Sequence, residues 1–518
     1  MTRDPAAIGA GLAPVRAARP IVAGERIHVV GIAGAGASAA ALLAHHAGAI
    51  VTGCDAGGRS PYTPALEAIG VPMTWAHDQG HVTVSPRPAR LAVTKALTAI
   101  DPDHPELRAA RTAGISLEPW QQVVADAAAG RTLVAVAGTH GKSTTAGWLV
   151  DVLVGAGLDP AAFVGALLPS SLTGGPPATA RSGAGDAFVV EADEYAGNFD
   201  AYRPDVAVLT NAEWDHPDVF VDRAAVLDAF GSWLRDIPDG ATVVANAGDE
   251  GIAAILEGLP PDRPAALIVY ALTEAGPQRG GYLRGLADRF ATDTRQASPL
   301  LGRVVATDPG GTTLELDGLD ALAGPVRARL RTAGRHNAAN ALAVAGAALT
   351  LGLDPGAIVA AVERFDGVGR RLERKGEAAG VVVYDDYGHH PTAIRETIAA
   401  LRQREPGRPI WAVYEPLTYH RTAALMPAFA AALATADAVA VADIWAGRDP
   451  DTTVASAAGL AEAVQGARPG LTVAAPGSVD DTADWLANEV RAGDAVLVMG
   501  GGRSYRIGER LLERLEDR

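Results

Sequence analysis

The feature that most constrains this chain is a strand-loop-helix unit near its centre. The apolar run Thr132–Ala137 leads into Gly138-Thr139-His140-Gly141-Lys142-Ser143-Thr144, after which a helix is predicted from about Ser143. Such a loop works only with a buried strand behind it and a helix in front, because its backbone N–H groups wrap phosphate oxygens at the helix N-terminus. Lys142 then supplies charge for β/γ-phosphates, and the Ser143 hydroxyl suits Mg²⁺. The usual spacing would put glycine at position 136, which is Val136, so the loop is a shortened variant.

The surroundings repeat the same grammar. Ile27–Val30, a glycine turn at Gly31–Gly36 and an Ala-rich helix at about 37–47 are followed by a strand, Ile50–Thr52, leading to Asp55. Further short apolar runs at Phe188–Val190, Val206–Thr210 and Thr242–Ala245 suit buried parallel strands. Val304–Ala306 and Thr312–Leu316 read as an antiparallel excursion after a polar, Gly-rich stretch at 272–299. A glycine joint at Gly367-Val368-Gly369 precedes Arg370-Arg371, and a new αβ series opens with Val381–Tyr384 and closes with Ala495–Met499. The fold class expected is α/β in three domains: an N-terminal Rossmann-like domain, a central P-loop ATPase-type parallel sheet and a C-terminal Rossmann-like domain. The boundaries expected are a flexible tail at 1–26 and domains at 27–128, 129–370 and 371–518.

Composition excludes several classes. A formal net charge of −16 opposes non-specific binding to nucleic acid or an anionic membrane. One cysteine, Cys54, excludes a disulfide framework or a cysteine-rich zinc site and fits a reducing, cytoplasmic setting. No stretch of about 18 strongly apolar residues occurs, so no membrane span is expected.

Five other constellations carry chemistry. Val189-Val190-Glu191-Ala192-Asp193-Glu194 delivers three carboxylates to a strand end, as Mg²⁺ prefers. Thr210-Asn211-Ala212-Glu213-Trp214-Asp215-His216 brings His216, beside Asp215, to another strand end, where it suits a second metal site. His336, Asn337 and Asn340, ahead of a helix expected over 341–351, place two amides one turn apart, suited to a base edge or to phosphates, or else to capping the helix. Arg370 and Arg371, arriving from another domain, suit a transferring phosphoryl group, and Asp385 in Asp385-Asp386-Tyr387-Gly388-His389-His390-Pro391 suits a ribose. Gly34, Ala35 and Gly36, with Asp55 further on, nearly match a dinucleotide fingerprint. With a P-loop in the next domain, a nucleotide-diphosphate substrate is the better reading than NAD.

Together these residues, with Glu415-Pro416 and Tyr419-His420-Arg421-Thr422, resemble the Mur ligases from about Ile27 to the C-terminus, and within that family the alanine-adding branch. The resemblance implies an ATP-dependent ligase that uses ATP and Mg²⁺ and joins L-alanine to UDP-N-acetylmuramate through an acyl phosphate, as a monomer or homodimer. It implies that Gly138 to Thr144 hold ATP, with Lys142 on its β/γ-phosphates; that Ser143 and Glu191 bind one Mg²⁺ and His216 a second; that His336, Asn337 and Asn340 contact the nucleotide; that Arg370 or Arg371 reaches its phosphates and Asp385 its ribose; and that Tyr387, His389 and Arg421 face the amino acid and muramoyl group. Later-acting relatives use a carbamylated lysine in the central domain, whereas no lysine lies between Lys142 and Lys375. Three alternatives stay open: a tripeptide-adding recycling ligase on the same UDP-sugar, a nucleotide-binding sensor without turnover, and a nicotinamide oxidoreductase.

Overall fold

The computed structural model describes residues 5–260, 264–273, 285–286, 297–319, 324–447, 449 and 451–517. Most of the polar stretch expected at 272–299, namely 274–284 and 287–296, lies outside the described residues.

Three sheets follow one another along the chain. The first is fully parallel, with strands β1 (Arg26–Val30), β2 (Ile50–Cys54), β3 (Met73–Thr74), β4 (Arg90–Val93) and β5 (Ser116–Pro119) in the order β3-β2-β1-β4-β5. The second has ten strands: β6 (Thr132–Ala137), β7 (Ala161–Leu168), β8 (Ala178–Arg181), β9 (Ala187–Ala192), β10 (Val206–Leu209), β11 (Thr242–Asn246), β12 (Ala266–Leu272), β13 (Ala297–Asp308), β14 (Gly311–Asp317) and β15 (Val326–Leu330). Their order is β15-β14-β13-β12-β11-β10-β6-β9-β7-β8. The third comprises β16 (Glu373–Ala378), β17 (Val381–Asp386), β18 (Ile410–Glu415), β19 (Ala438–Ala442), β20 (Thr472–Gly477) and β21 (Ala495–Gly500), ordered β16-β17-β21-β18-β19-β20.

The apolar runs became central strands because both faces are covered. Strand β6 is buried from Leu133 to Ala137, with helices Lys142–Gly155 and Arg335–Thr350 against one face. Each buried residue there removes apolar surface worth about 25 cal/mol per Å². Neighbours β10, β6 and β9 run parallel in register, so the three motif-bearing loops leave the sheet side by side at its carboxyl edge.

Four expectations change. Residues read as a loose tail are partly packed: Ile8 is 1% exposed, and Arg16 ion-pairs with Glu118 and Asp126. These partners lie about a hundred positions away, so local composition gave no sign of them. The antiparallel pair β13–β14 forms, but β13 also pairs parallel with β12. The helix expected over 341–351 begins at Arg335, because Gly334 at φ +91° turns the chain into it. Asn337 and Asn340 therefore lie inside the helix, and neither caps it. Finally, the C-terminal series opens one strand earlier, with β16 antiparallel to β17.

Candidate active site

The loop from Gly138 to Gly141 is shaped by two left-handed glycines. At φ +142° and +77°, Gly138 and Gly141 adopt backbone that side chains resist, and a Cβ on Gly138 would meet Thr210 Oγ1 at 2.1 Å. The neighbouring loop clasps it: His140 N donates to Asn211 Oδ1 (2.7 Å), and Thr210 Oγ1 donates to His140 O (2.6 Å). A Cβ on Gly141 would meet Asn340 Oδ1 at 2.7 Å, so Asn340 backs the loop from the helix behind.

Lys142 folds over this loop, donating to Gly138 O (2.5 Å) and to Glu194 Oε2 (3.1 Å). Burial opposes its charge, but Glu194, Asp193 and Glu191 outweigh burial and raise its pKa. Burial pushes Glu194 up to about 7 against the pull of Lys142. Ligand atoms of Asp193, Glu194 and His216 all lie within 4.8 Å of one another, a cluster able to hold a cation beside the P-loop lysine. Glu191, the carboxylate expected to bind metal, instead accepts from Gly165 N (2.7 Å) and lines the same cavity. The spacing of the acidic run hid this division, because Asp193 and Glu194 lie past the strand end while Glu191 is still within β9.

The C-terminal domain closes the site. Arg371 donates to Ser143 Oγ (2.7 Å), whereas Arg370, at φ +58°, turns the other way onto Asp385 (2.9 Å), Gly500 O and Ser504 Oγ. Asp385, expected at the ribose, thus sits away from the cavity beside the P-loop, whereas its neighbour Asp386 lines that cavity. Period-2 alternation along β17 forces this choice. Arg421, 3% exposed, pairs with Asp215 (2.9 Å) and donates to His216 Nδ1 (2.9 Å). Asp215 is driven up by burial and pulled further down by Arg421 and His216, so it stays ionised. Thr392 Oγ1 donates to Glu213 Oε2 (2.7 Å), and the His140 and His390 rings meet at 4.4 Å. Neither Glu213 nor Asp386 was given a role from the sequence, although both stand inside the motifs themselves.

Two cavities meet at the P-loop. One of about 280 Å³ is lined by Asn211, Asn246, His336, Asn337, Asn340 and Asp386, a concave site with convergent polar groups. His140, Gly141, Thr144 and Arg371 also face it. The other, of about 350 Å³, is lined by Lys142, Ser143, Glu191, Asp193, His216 and Arg371 on one side and reaches Ala35, Tyr387, His389 and Arg421. Thr139 also lies on its wall. His336 Nδ1, Arg371 Nε and Asn198 Oδ1 are buried without hydrogen-bond partners among the described residues. Such orphaned polar atoms on the walls fit a site built for a polar ligand.

The first domain contributes less directly. Its glycine turn lies between β1 and helix Ala35–His46, and Gly34 stands at the helix N-cap. Asp55 uses its carboxylate to tie the glycine turn to its own loop, accepting from Ala33 N (3.1 Å) and Gly57 N (2.7 Å). Gly36 is covered: a Cβ there would lie 2.2 Å from the Trp120 ring, which itself packs edge-on to Phe163. Of the turn, Ala35 alone lines the reaction cavity, with Thr179 Oγ1 of β8 donating to its carbonyl.

Comparison with known proteins agrees with the geometry. Residues 26–132 match the Mur ligase family catalytic domain, 136–348 the Mur ligase middle domain and 370–502 the Mur ligase glutamate ligase domain. The chain is 36% identical to the UDP-N-acetylmuramate--L-alanine ligase of Frankia casuarinae, covering 95% of this chain and 98% of that one. It is 37% identical to the ligase of the same name from Kineococcus radiotolerans, at 95% and 97% coverage. Among solved structures, UDP-N-acetylmuramate-alanine ligase from Thermotoga maritima superposes with a TM-score of 0.74 at 22% identity, covering 95% and 99% of the two chains. A murein peptide ligase from Psychrobacter arcticus gives 0.70 at 26% identity, covering 96% and 99%. With three consecutive domain matches and relatives aligned end to end, the chain belongs to the Mur ligase family.

Proposed function

We propose that this chain joins L-alanine to UDP-N-acetylmuramate at the expense of ATP, through an acyl phosphate on the muramoyl carboxylate. The observation that carries the reading is the meeting of the two cavities at His140, Gly141 and Arg371, one lined by Asn337 and Asn340 and the other running from Lys142 to Arg421 and His389. The curated relatives of that name extend it to the substrates. A reaction drawing on ATP and a nucleotide-linked sugar belongs in the cytoplasm.

Mg²⁺ would be held by Asp193, Glu194 and His216, with Ser143 and Glu191 on the same wall, and would neutralise charge on the transferring phosphoryl group. Lys142 and Arg371 add fixed positive charge on either side of the P-loop. His336, Asn337 and Asn340 offer polar groups to the nucleotide, and Asp386 an acceptor for its ribose. Ordered closure of the C-terminal domain excludes water, which would otherwise hydrolyse the acyl phosphate.

The amine attacks the acyl phosphate carbonyl carbon, the carbon–oxygen bond to phosphate breaks, and the new ammonium must lose a proton. We assign that proton to His389 on the cavity wall, whose Nδ1 donates to Tyr387 O (2.9 Å), leaving Nε2 as the accepting nitrogen of a ring that burial keeps neutral. Arg421 and Tyr387 line the same wall and suit the carboxylate of the incoming amino acid.

The test is a ligase assay with UDP-N-acetylmuramate and a panel of L-alanine, glycine, L-serine and the cell-wall tripeptide, following phosphate and product mass. Alanine-dependent phosphate with the alanyl product supports the reading. Preference for the tripeptide would assign the recycling activity instead, and ATP binding without ADP formation with any acceptor would make the chain a sensor.

A further inference from the structure

The first domain carries a second cluster of metal-binding side chains, remote from the P-loop. Side chains alternate along β1: Ile27 and Val29 join the core under helix Ala35–His46, while His28 and Val30 face the opposite side. On that side His28 meets Cys54 from the end of β2, His81 from helix Gly80–Thr83 and Glu106 from helix Pro105–Thr112. His28 Nε2 lies 3.4 Å from Cys54 Sγ and 3.0 Å from Glu106 Oε1. Cys54 Sγ is 3.3 Å from Glu106 Oε2, and His81 Nδ1 is 2.9 Å from Glu106 Oε1. All four ligand atoms fall within 4.8 Å of one another.

Three properties distinguish this cluster from ordinary buried polar packing. The first is charge. Glu106 is 0% exposed, and its partners among the described residues are Cys54 and the imidazoles of His28, His77 and His81, with no lysine or arginine. A buried carboxylate needs a compensating positive charge. One divalent cation bound by a carboxylate, a thiolate and two neutral imidazoles leaves the site neutral. The second property is orientation. His28 turns Nδ1 to Thr52 Oγ1 (2.8 Å) and His81 turns Nε2 to Thr74 Oγ1 (3.1 Å), so a threonine hydroxyl holds the far nitrogen of each ring. That outer-shell arrangement aims the remaining nitrogen of a metal-ligating histidine. The third is spacing. Tetrahedral zinc bonds of about 2.0–2.3 Å set neighbouring donors about 3.3–3.6 Å apart. The separations above need to open by only a few tenths of an ångström.

We propose that His28, Cys54, His81 and Glu106 form a tetrahedral site for a borderline divalent metal, Zn²⁺, which staples β1, β2 and the two helices of the first domain together. The single sulfur and two imidazoles select against Mg²⁺, so the site is distinct from the cation cluster at the P-loop. Binding is a proton-for-metal exchange: the Cys54 S–H proton leaves to solvent as the metal–sulfur bond forms, with no change of oxidation state. His77, whose Nδ1 lies 3.2 Å from Cys54 Sγ, and His81 are 18% and 19% exposed and lie on the solvent side of the cluster, whereas Glu106 is 0% exposed.

Cys54 is the only cysteine in the chain, so a thiolate-to-cobalt charge-transfer band reports on this site and no other. The full chain, stripped with chelator, is titrated with Co²⁺ without nucleotide. The band should saturate at one equivalent, disappear when Zn²⁺ is added and be absent in Cys54→Ser. His81→Gln should weaken Co²⁺ binding at least about tenfold. A folded wild-type chain with no charge-transfer band at saturating Co²⁺ overturns the proposal. So does a His81→Gln chain that titrates like wild type. If Cys54→Ser fails to fold, the wild-type titration still decides.

Discussion

Removing Arg421 tests how the C-terminal domain is held over the reaction cavity. Its guanidinium joins Asp215 and His216 at 2.9 Å each, and both Arg421 and Asp215 are 3% exposed. Breaking a buried pair by deleting one partner costs about 3–5 kcal/mol, because the other charge stays buried alone. Here the domains can part and let water reach Asp215, so the cost appears as loss of the closed arrangement and not as unfolding. At about 1.4 kcal/mol per tenfold, Arg421→Met should lower kcat/KM for ligation by about 10²-fold or more, with far-UV circular dichroism unchanged. Arg421 also lines the cavity, so a second chain separates the two roles. Arg421→Met/Asp215→Asn removes both charges and should regain about tenfold over the single variant if closure is what was lost. A single variant within about threefold of wild type refutes the reasoning. No recovery in the double variant confines Arg421 to substrate contact.

Other perturbations give separate readouts. Lys142→Ala removes the charge that Glu194 and the P-loop share and should reduce ATP turnover by about 10²–10³-fold, measured as phosphate release. Gly36→Val forces a Cβ to within 2.2 Å of Trp120 and should destabilise the docking of the first domain by about 1–3 kcal/mol, seen as a lower unfolding midpoint with altered tryptophan emission. Burial pushes His390 down to about 4, while an unfolded histidine titrates near 6.5. Between those values the unfolded chain binds more protons, so stability is intact above about pH 6.5 and falls by up to about 3 kcal/mol as pH drops towards 4. His390→Asn keeps an acceptor for Thr392 N at the helix start and should flatten that acid limb in thermal melts across pH.

How far the sequence reached depended on whether the decisive partner was local. Strand β6 begins and ends where its apolar run does, and the glycine-shaped loop and the following helix lie where the motif requires. Carboxylates and His216 arrive at neighbouring strand ends for the same reason, since strand, turn and motif are contiguous. Side-chain direction was harder. Arg370 and Arg371 are adjacent, yet one positive φ sends them to opposite sides, and a single step along β17 separates Asp385 from Asp386. The packed N-terminal segment and the cover of Trp120 over Gly36 rest on contacts about a hundred positions apart in the chain, beyond any local pattern. The gathering of His28, Cys54, His81 and Glu106, each unremarkable in its own segment, likewise joins residues from four separate elements.

The central claim is that phosphoryl transfer to the muramoyl carboxylate precedes amide formation in the cavity over Lys142. UDP-N-acetylmuramate labelled with ¹⁸O in its carboxylate, turned over with ATP and L-alanine, tests it directly by mass analysis of the inorganic phosphate. Acyl phosphate chemistry predicts one ¹⁸O carried into each phosphate released during ligation. Alanyl product accompanied by unlabelled phosphate would contradict the account.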